Sequence, residues 1–304
     1  MAVLNNQVVE RHPVFPRIRL HSDLELTKVL GAGIAERQII HEWPLSCVQR
    51  VVREGGERLV YKSQLPPTLE PAFYEHAVSS LLTSHRFLAK VDDCEIMTLD
   101  WIDAPLLRDV VRSNEEWLVR GRELIARIGA MEGVPPVYLD IGSGAAWSTV
   151  VDATLGALAE SIRSGRFRSI RQEHVDELRR WAESRAVHDC IAERPRLIHG
   201  DLKASQVFLE GDGYRVIDWQ RPLIGPPEVD LVSLLIGERI DPRAYVARAT
   251  VGIFWFLFLR WAVVAQAELF PDFRGPLFDG WAAVAVRQIL DKDAPPPPEG
   301  IPPA

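Results

Sequence analysis

Strand-like apolar stretches cluster ahead of residue 102, whereas the three-to-four residue spacing of buried helix faces dominates from residue 106 onward. Ser22 and Asp23 predict the cap of a short helix over 24–30, closed by Gly31-Ala32-Gly33. Three strands are expected over 37–43, 47–53 and 58–64, the last two joined across Gly55-Gly56, a good two-residue hairpin turn. A further strand is expected over 95–101, followed by a hinge at 102–105. Helices are expected over about 114–132, 147–164, 172–192, 227–236, 242–269 and 280–291. Gly31 and Gly33 invite a phosphate-loop reading, but they close a helix instead of joining two strands, so they are set aside.

The apolar run 249–259 lies between Arg248 and Arg260. Spanning hydrocarbon takes about 20 residues, so the run reads as a buried helix. The chain ends in a proline-rich segment from Ala294, expected to be extended and disordered. No internal repeat is visible.

The chemistry concentrates near residue 200. An apolar pair, Leu197-Ile198, leads into His199-Gly200-Asp201, and an amide residue, Gln206, follows Asp201 by five positions. A β-type stretch then runs into Ile217-Asp218-Trp219. Phosphoryl transfer from a nucleotide needs a carboxylate to orient the attacking hydroxyl and oxygen ligands for Mg²⁺. Asp201 fits the first role, and Asp218 with the amide oxygen of Gln206 fits the second.

With Pro227-Glu228-Val229-Asp230-Leu231 downstream, these motifs resemble the aminoglycoside phosphotransferase-like kinases. Choline, fructosamine, homoserine and trehalose-pathway sugar kinases are relatives of that family. The resemblance covers roughly residues 20 to 290, and its specific part lies within 197–235. It implies an α+β, bilobal protein-kinase-like fold, with a small antiparallel-sheet N-lobe over 1–102 and a larger, mainly helical C-lobe over 103–292, ahead of the tail 293–304. It implies a strand lysine on the nucleotide phosphates, Lys62, held by a helix glutamate, Glu75. The loop 43–46, with Ser46, becomes the candidate cover for the phosphates of ATP, although it lacks glycine. His199 is implied to brace the catalytic loop, and Asp230 to hold it from below. Lys203 occupies the spacing at which protein kinases place a lysine on the transferred phosphoryl group, a position that varies among small-molecule relatives. One departure stands out: the family's usual Asn in the catalytic loop is Gln206.

The expected activity is ATP- and Mg²⁺-dependent transfer of the γ-phosphoryl group to a hydroxyl of a sugar, amino sugar, amino alcohol or antibiotic. The alternative is a nucleotide-binding pseudokinase, motivated by Gln206 and the glycine-free loop. Composition narrows the partners. A net charge of −7 opposes a nucleic-acid or anionic-membrane partner recruited by bulk charge. Three cysteines without CxxC spacing fit neither a disulfide framework nor a zinc site. The first residues lack the basic and apolar regions of a signal peptide, so a cytoplasmic enzyme is expected. Residues 106–195 hold fourteen acidic residues and thirteen arginines, a balance that gives no sign of a polycation pocket. The arginines at 163, 166, 168 and 171 read as a solvated helix end.

Overall fold

The computed structural model describes residues 9–291, 293 and 294. The tail from residue 295, with its expected disorder, and the first eight residues lie outside the described residues. The chain forms two compact units. One runs through Asp109 and adds Met131–Tyr138 and Gln206–Arg221; the other holds Val110–Ala130, Leu139–Ser205 and the chain from Pro222 on. The continuous boundary expected at 102/103 therefore gives way to a chain that returns twice to its first unit.

The first unit is built on a five-stranded antiparallel sheet. Its spatial order is Ile34–Trp43, Ser46–Arg53, Arg58–Gln64, Cys94–Asp100, His85–Val91. The strand Arg58–Gln64 is thus central, and Lys62 pairs with Val48 on one side and Met97 on the other. The strand His85–Val91 adds to the expected strands and is joined to Cys94–Asp100 across the two-residue turn Asp92-Asp93, with Asp92 at φ +53°. Leu26, Val51, Leu59, Tyr61 and Ile96 form the core between this sheet and the helix Asp23–Leu30. That helix ends as expected: Ser22 accepts the Glu25 N–H, and Gly31 takes the left-handed cap at φ +72°.

A buried histidine marks the rim of this core. His21, 1% exposed, has its ring Nδ1 3.1 Å from the Tyr61 hydroxyl. Burial, and then Arg37, push its pKa from 6.5 down to about 4, against the opposing pull of Glu25. The fold therefore holds the neutral ring. Its contribution is complete above pH 6.5 and is lost as pH falls towards 4, by about 3 kcal/mol over that window. Chemical denaturation between pH 4 and pH 7 should show a shallower acid slope for His21→Asn than for the wild type; equal slopes would remove His21 from the acid response.

The second unit is mainly helical, with helices Asn114–Gly129, Gly144–Arg163, Gln172–Ala182, Arg185–Ala192, Glu228–Gly237, Arg248–Val264 and Leu277–Leu290. Ser113 and Ser143 cap two of them, accepting the N–H of Glu116 and Ala146. The helix expected over 172–192 is two, because Ser184 turns the backbone extended, at ψ 148°. The stretch expected as one helix over 242–269 opens with a 3₁₀ turn at Pro242–Ala244 and continues past Val264 as a π-helical turn over Ala265–Leu269. The apolar run is interior: 78% of the most apolar window within Arg248–Leu269 is buried. Trp147 and Phe256 pack at 5.0 Å between ring centroids in the same core. Gly121 lets Asn114–Gly129 approach Glu228–Gly237, since a Cβ there would lie 2.6 Å from Leu231. At the other end Ala294 is 1% exposed, and its carbonyl accepts from Arg243 at 2.8 Å, so the chain is packed up to the start of the proline run.

Candidate active site

In the first unit a short hairpin creates a cluster. Val207–Glu210 pairs with Gly213–Val216, with Val207 opposite Val216. Register then brings the residues just outside the hairpin's open end side by side, and the Ile217 N–H donates to the Gln206 carbonyl at 3.0 Å. One step further lies Asp218, whose backbone sits at φ +75°. A side chain other than glycine is rare there, although Asp tolerates it better than most, and such backbones concentrate at functional sites.

Three side chains converge on the Asp218 carboxylate. Lys62 Nζ lies 2.7 Å from Oδ1, Gln220 Nε2 donates to the same oxygen at 2.8 Å, and Gln206 Nε2 donates to Oδ2 at 3.1 Å. Lys62 is 5% exposed and also pairs with Glu70, which is fully buried. Burial alone would push the Lys62 ammonium down; the Asp218 and Glu70 carboxylates outweigh it and hold the pKa above its ordinary value. The cluster is a buried ammonium between two carboxylates, one of them flanked by two amides.

The expected partner of Lys62 is corrected. Glu75 is exposed, and Glu70, the first residue of the helix Glu70–His76, makes the pair. Five residues turn a helix by about 140° beyond a full turn, so the two glutamates occupy different faces. Pro71 carried the missed signal: proline favours the first turn of a helix, which places Glu70 at its start. The helix is docked at two more points. Phe73 stacks on Trp219 with centroids 4.5 Å apart, and the Leu69 N–H donates to the Gln220 carbonyl at 2.8 Å. Trp219 in turn donates its indole N–H to the Val216 carbonyl at 2.9 Å. Glu70→Ala is expected to lose about 3 kcal/mol of stability, the scale of breaking a buried pair. Glu75→Ala should stay within about 0.5 kcal/mol of wild type. Urea denaturation of the two variants checks both, and equal losses would return the pairing role to the whole helix.

Ser46 is also corrected. The connection between Ile34–Trp43 and Ser46–Arg53 is a two-residue turn, with Trp43 paired to Ser46. Ser46 lies in the strand, is 2% exposed, and accepts the Trp43 indole N–H at 2.7 Å. A turn that short has no run of free amides to lay along phosphates. Gln220, by contrast, is a residue that sequence reasoning missed; only its position two residues after Asp218 could have pointed to it.

The second unit holds the His-Gly-Asp loop. The strand Arg196–Ile198 pairs antiparallel with Leu223–Gly225 and delivers His199 to the end of a small sheet. Asp230, fully buried in the first turn of Glu228–Gly237, accepts the His199 N–H at 2.6 Å and the Gly200 N–H at 2.9 Å. Gly200 stands at φ +84°, a conformation glycine adopts without strain. Burial pushes the Asp230 carboxyl up to about 7, against the two N–H donors. Beyond the clamp the loop alternates. Leu202 and Ala204 are fully buried, while Asp201, Lys203 and Ser205 are partly exposed, and Lys203 Nζ lies 3.1 Å from the Asp201 carboxylate. In the arginine cluster Arg163 pairs with Glu160 and Arg171 with Glu173, both on the surface, and Arg168 donates to the Gly165 carbonyl at 3.1 Å, as expected of a solvated helix end.

Lys62, Gln206 and Asp218 thus meet in the first unit, and His199, Asp201, Lys203 and Asp230 meet in the second. Among the described residues no group of three or more His, Cys, Asp or Glu side chains is arranged to hold a metal. One carboxylate and one amide suit Mg²⁺, which takes one or two protein carboxylates and completes its shell with phosphate and water oxygens.

The family model described as the phosphotransferase enzyme family matches residues 48–262. No curated protein sequence matches the chain. Among solved structures, a thermostable mutant of the aminoglycoside phosphotransferase APH(4)-Ia in its apo form superposes with a TM-score of 0.58 at 14% identity, covering 88% of this chain and 98% of that one. A choline/ethanolamine kinase family protein from Mesorhizobium loti gives 0.56 at 14%, covering 84% and 87%. Spectinomycin phosphotransferase APH(9)-Ia, crystallised with ADP and spectinomycin, gives 0.53 at 13%, covering 90% and 95%. These likenesses show the protein-kinase-like fold.

Proposed function

This chain belongs to the phosphotransferase enzyme family, whose members place a phosphoryl group on a small-molecule hydroxyl, and from that premise we propose its donor, its metal and its working residues. The donor is ATP and the metal Mg²⁺. The observation that carries the reading is the Asp218 carboxylate held by Lys62, Gln206 and Gln220. Lys62 takes the nucleotide phosphates, with Glu70 fixing its reach. Asp218 and Gln206 would hold Mg²⁺, the first through a carboxylate oxygen and the second through its amide oxygen. The metal's chemistry is to neutralise charge on the phosphate oxygens. Gln220 positions Asp218.

Asp201 receives the acceptor. An oxygen lone pair of the acceptor hydroxyl forms the new bond to the γ-phosphorus, and the bond from that phosphorus to the bridging oxygen breaks. ADP leaves with the electron pair, and the hydroxyl proton passes to the Asp201 carboxylate. Asp230 and His199 hold the loop in which Asp201 sits. Three free thiols, Cys47, Cys94 and Cys190, suit the reducing cytoplasm in which we place the enzyme.

An ATP-consumption screen with Mg²⁺ across neutral sugars, amino sugars, amino alcohols and aminoglycosides tests the reading. Turnover that requires both Mg²⁺ and one acceptor class is the expected result. A thermal shift with Mg-ATP and no consumption with any acceptor would overturn it in favour of a nucleotide-binding pseudokinase.

A further inference from the structure

The exposed face of the His-Gly-Asp loop carries a charge arrangement that bears on the acceptor. Asp201 and Lys203 stand on the same side of the alternating loop, 3.1 Å apart, with side chains 16% and 24% exposed. The clamp on Asp230 fixes the start of this loop, and fully buried Leu202 and Ala204 anchor its other face. The ammonium is therefore held beside the carboxylate. A hydroxyl oriented by Asp201 then lies within about 6 Å of a fixed positive charge, close enough for a unit charge on the acceptor to be felt.

Resting on the assignment of Asp201 as the base, we propose that Lys203 determines acceptor class: the phosphorylated hydroxyl belongs to a sugar or polyol with no cationic amine beside it. The negative charge that would attract an ammonium at Asp201 is already compensated by Lys203. An amine next to the reacting hydroxyl therefore faces a paired charge and gains no net attraction there. A cavity of about 490 Å³ at the start of Glu228–Gly237 is lined by both signs, Arg122 and Arg248 with Asp189, Glu193 and Glu228. This separates the enzyme from kinases of polyamine substrates without altering the chemistry of transfer.

The test compares kcat/KM for matched pairs, glucose with glucosamine and galactose with galactosamine, at a pH where the amine is protonated. In wild type the ratio of neutral to amine member should be one or more, because the compensated carboxylate offers the amine no net attraction. Lys203→Met should shrink the ratio about tenfold, Lys203→Arg should keep it, and KM for ATP should hardly move. Where a pair is not turned over, its members are compared as competitors of ATP hydrolysis by water, with the same ratio expected. An unchanged ratio in Lys203→Met, or a wild type that prefers the amine, would overturn the proposal. Loss of all ATP consumption in wild type would instead strike the kinase reading beneath it.

Discussion

Asp201→Asn is expected to lower turnover by about 10²–10⁴-fold, the usual contribution of a positioned general base, while nucleotide affinity changes little. The amide keeps the size of the carboxylate and can still accept a hydrogen bond from the acceptor, but it cannot take the proton. Lys203 loses a charged partner at 3.1 Å, yet the loop should stay in place, because its start is held through the backbone N–H groups of His199 and Gly200 on Asp230. Steady-state rates with the best acceptor, alongside ADP affinity by calorimetry, separate the two quantities. A variant within threefold of wild type, about 0.65 kcal/mol in the barrier, would remove Asp201 from the mechanism.

The motif near residue 200 was legible because its geometry is local. His199 follows directly on a strand, and Gln206 and Asp218 flank a hairpin whose register needs only its own two strands. The partner of Lys62 was not legible in the same way. Lys62 and Glu70 are separated by a loop, so strand periodicity said nothing about which glutamate the helix would turn inward; the helix start at Pro71 decides it. Choosing Glu75 followed from counting along the chain instead of around the helix.

Ser46 failed for a related reason. Trp43-Pro44-Leu45-Ser46 looked like a loop by composition, but strand pairing runs to both ends of it and leaves two residues for the turn. The units were misjudged where the chain leaves and re-enters one of them. The pairing of Ala77–Val78 with Glu132–Gly133 ties a short segment of the helical half to the first unit, and a contact between two such short strands leaves no periodic trace. The start behind the Ser113 cap was read correctly, the starts behind Ser143 and Pro276 were placed three residues late, and the break at Ser184 was hidden inside a continuous apolar period.

The intact Asp218 cluster makes the second large effect calculable in kind. Asp218→Asn is the informative variant, since Asn is among the few residues that accept φ +75° while alanine would add backbone strain to the lost charge. Lys62 keeps Glu70 as a partner, so the ammonium is not left alone and the fold should survive. What disappears is the only carboxylate in the proposed Mg²⁺ set. Even residues that merely support a metal ligand change affinity by about 10–100-fold, so loss of the ligand's own charge should lower turnover by more than about 10²-fold. Turnover alone cannot assign the cause, so Mg²⁺-dependent stabilisation by ADP is measured beside it. Wild type should gain melting temperature from ADP only when Mg²⁺ is present, and Asp218→Asn should show the same small shift with and without the metal. Glu75→Gln serves as the control on the same unit and should behave as wild type. A full Mg²⁺-dependent shift in Asp218→Asn would move the metal to other oxygens and reduce Asp218 to a counter-ion for Lys62.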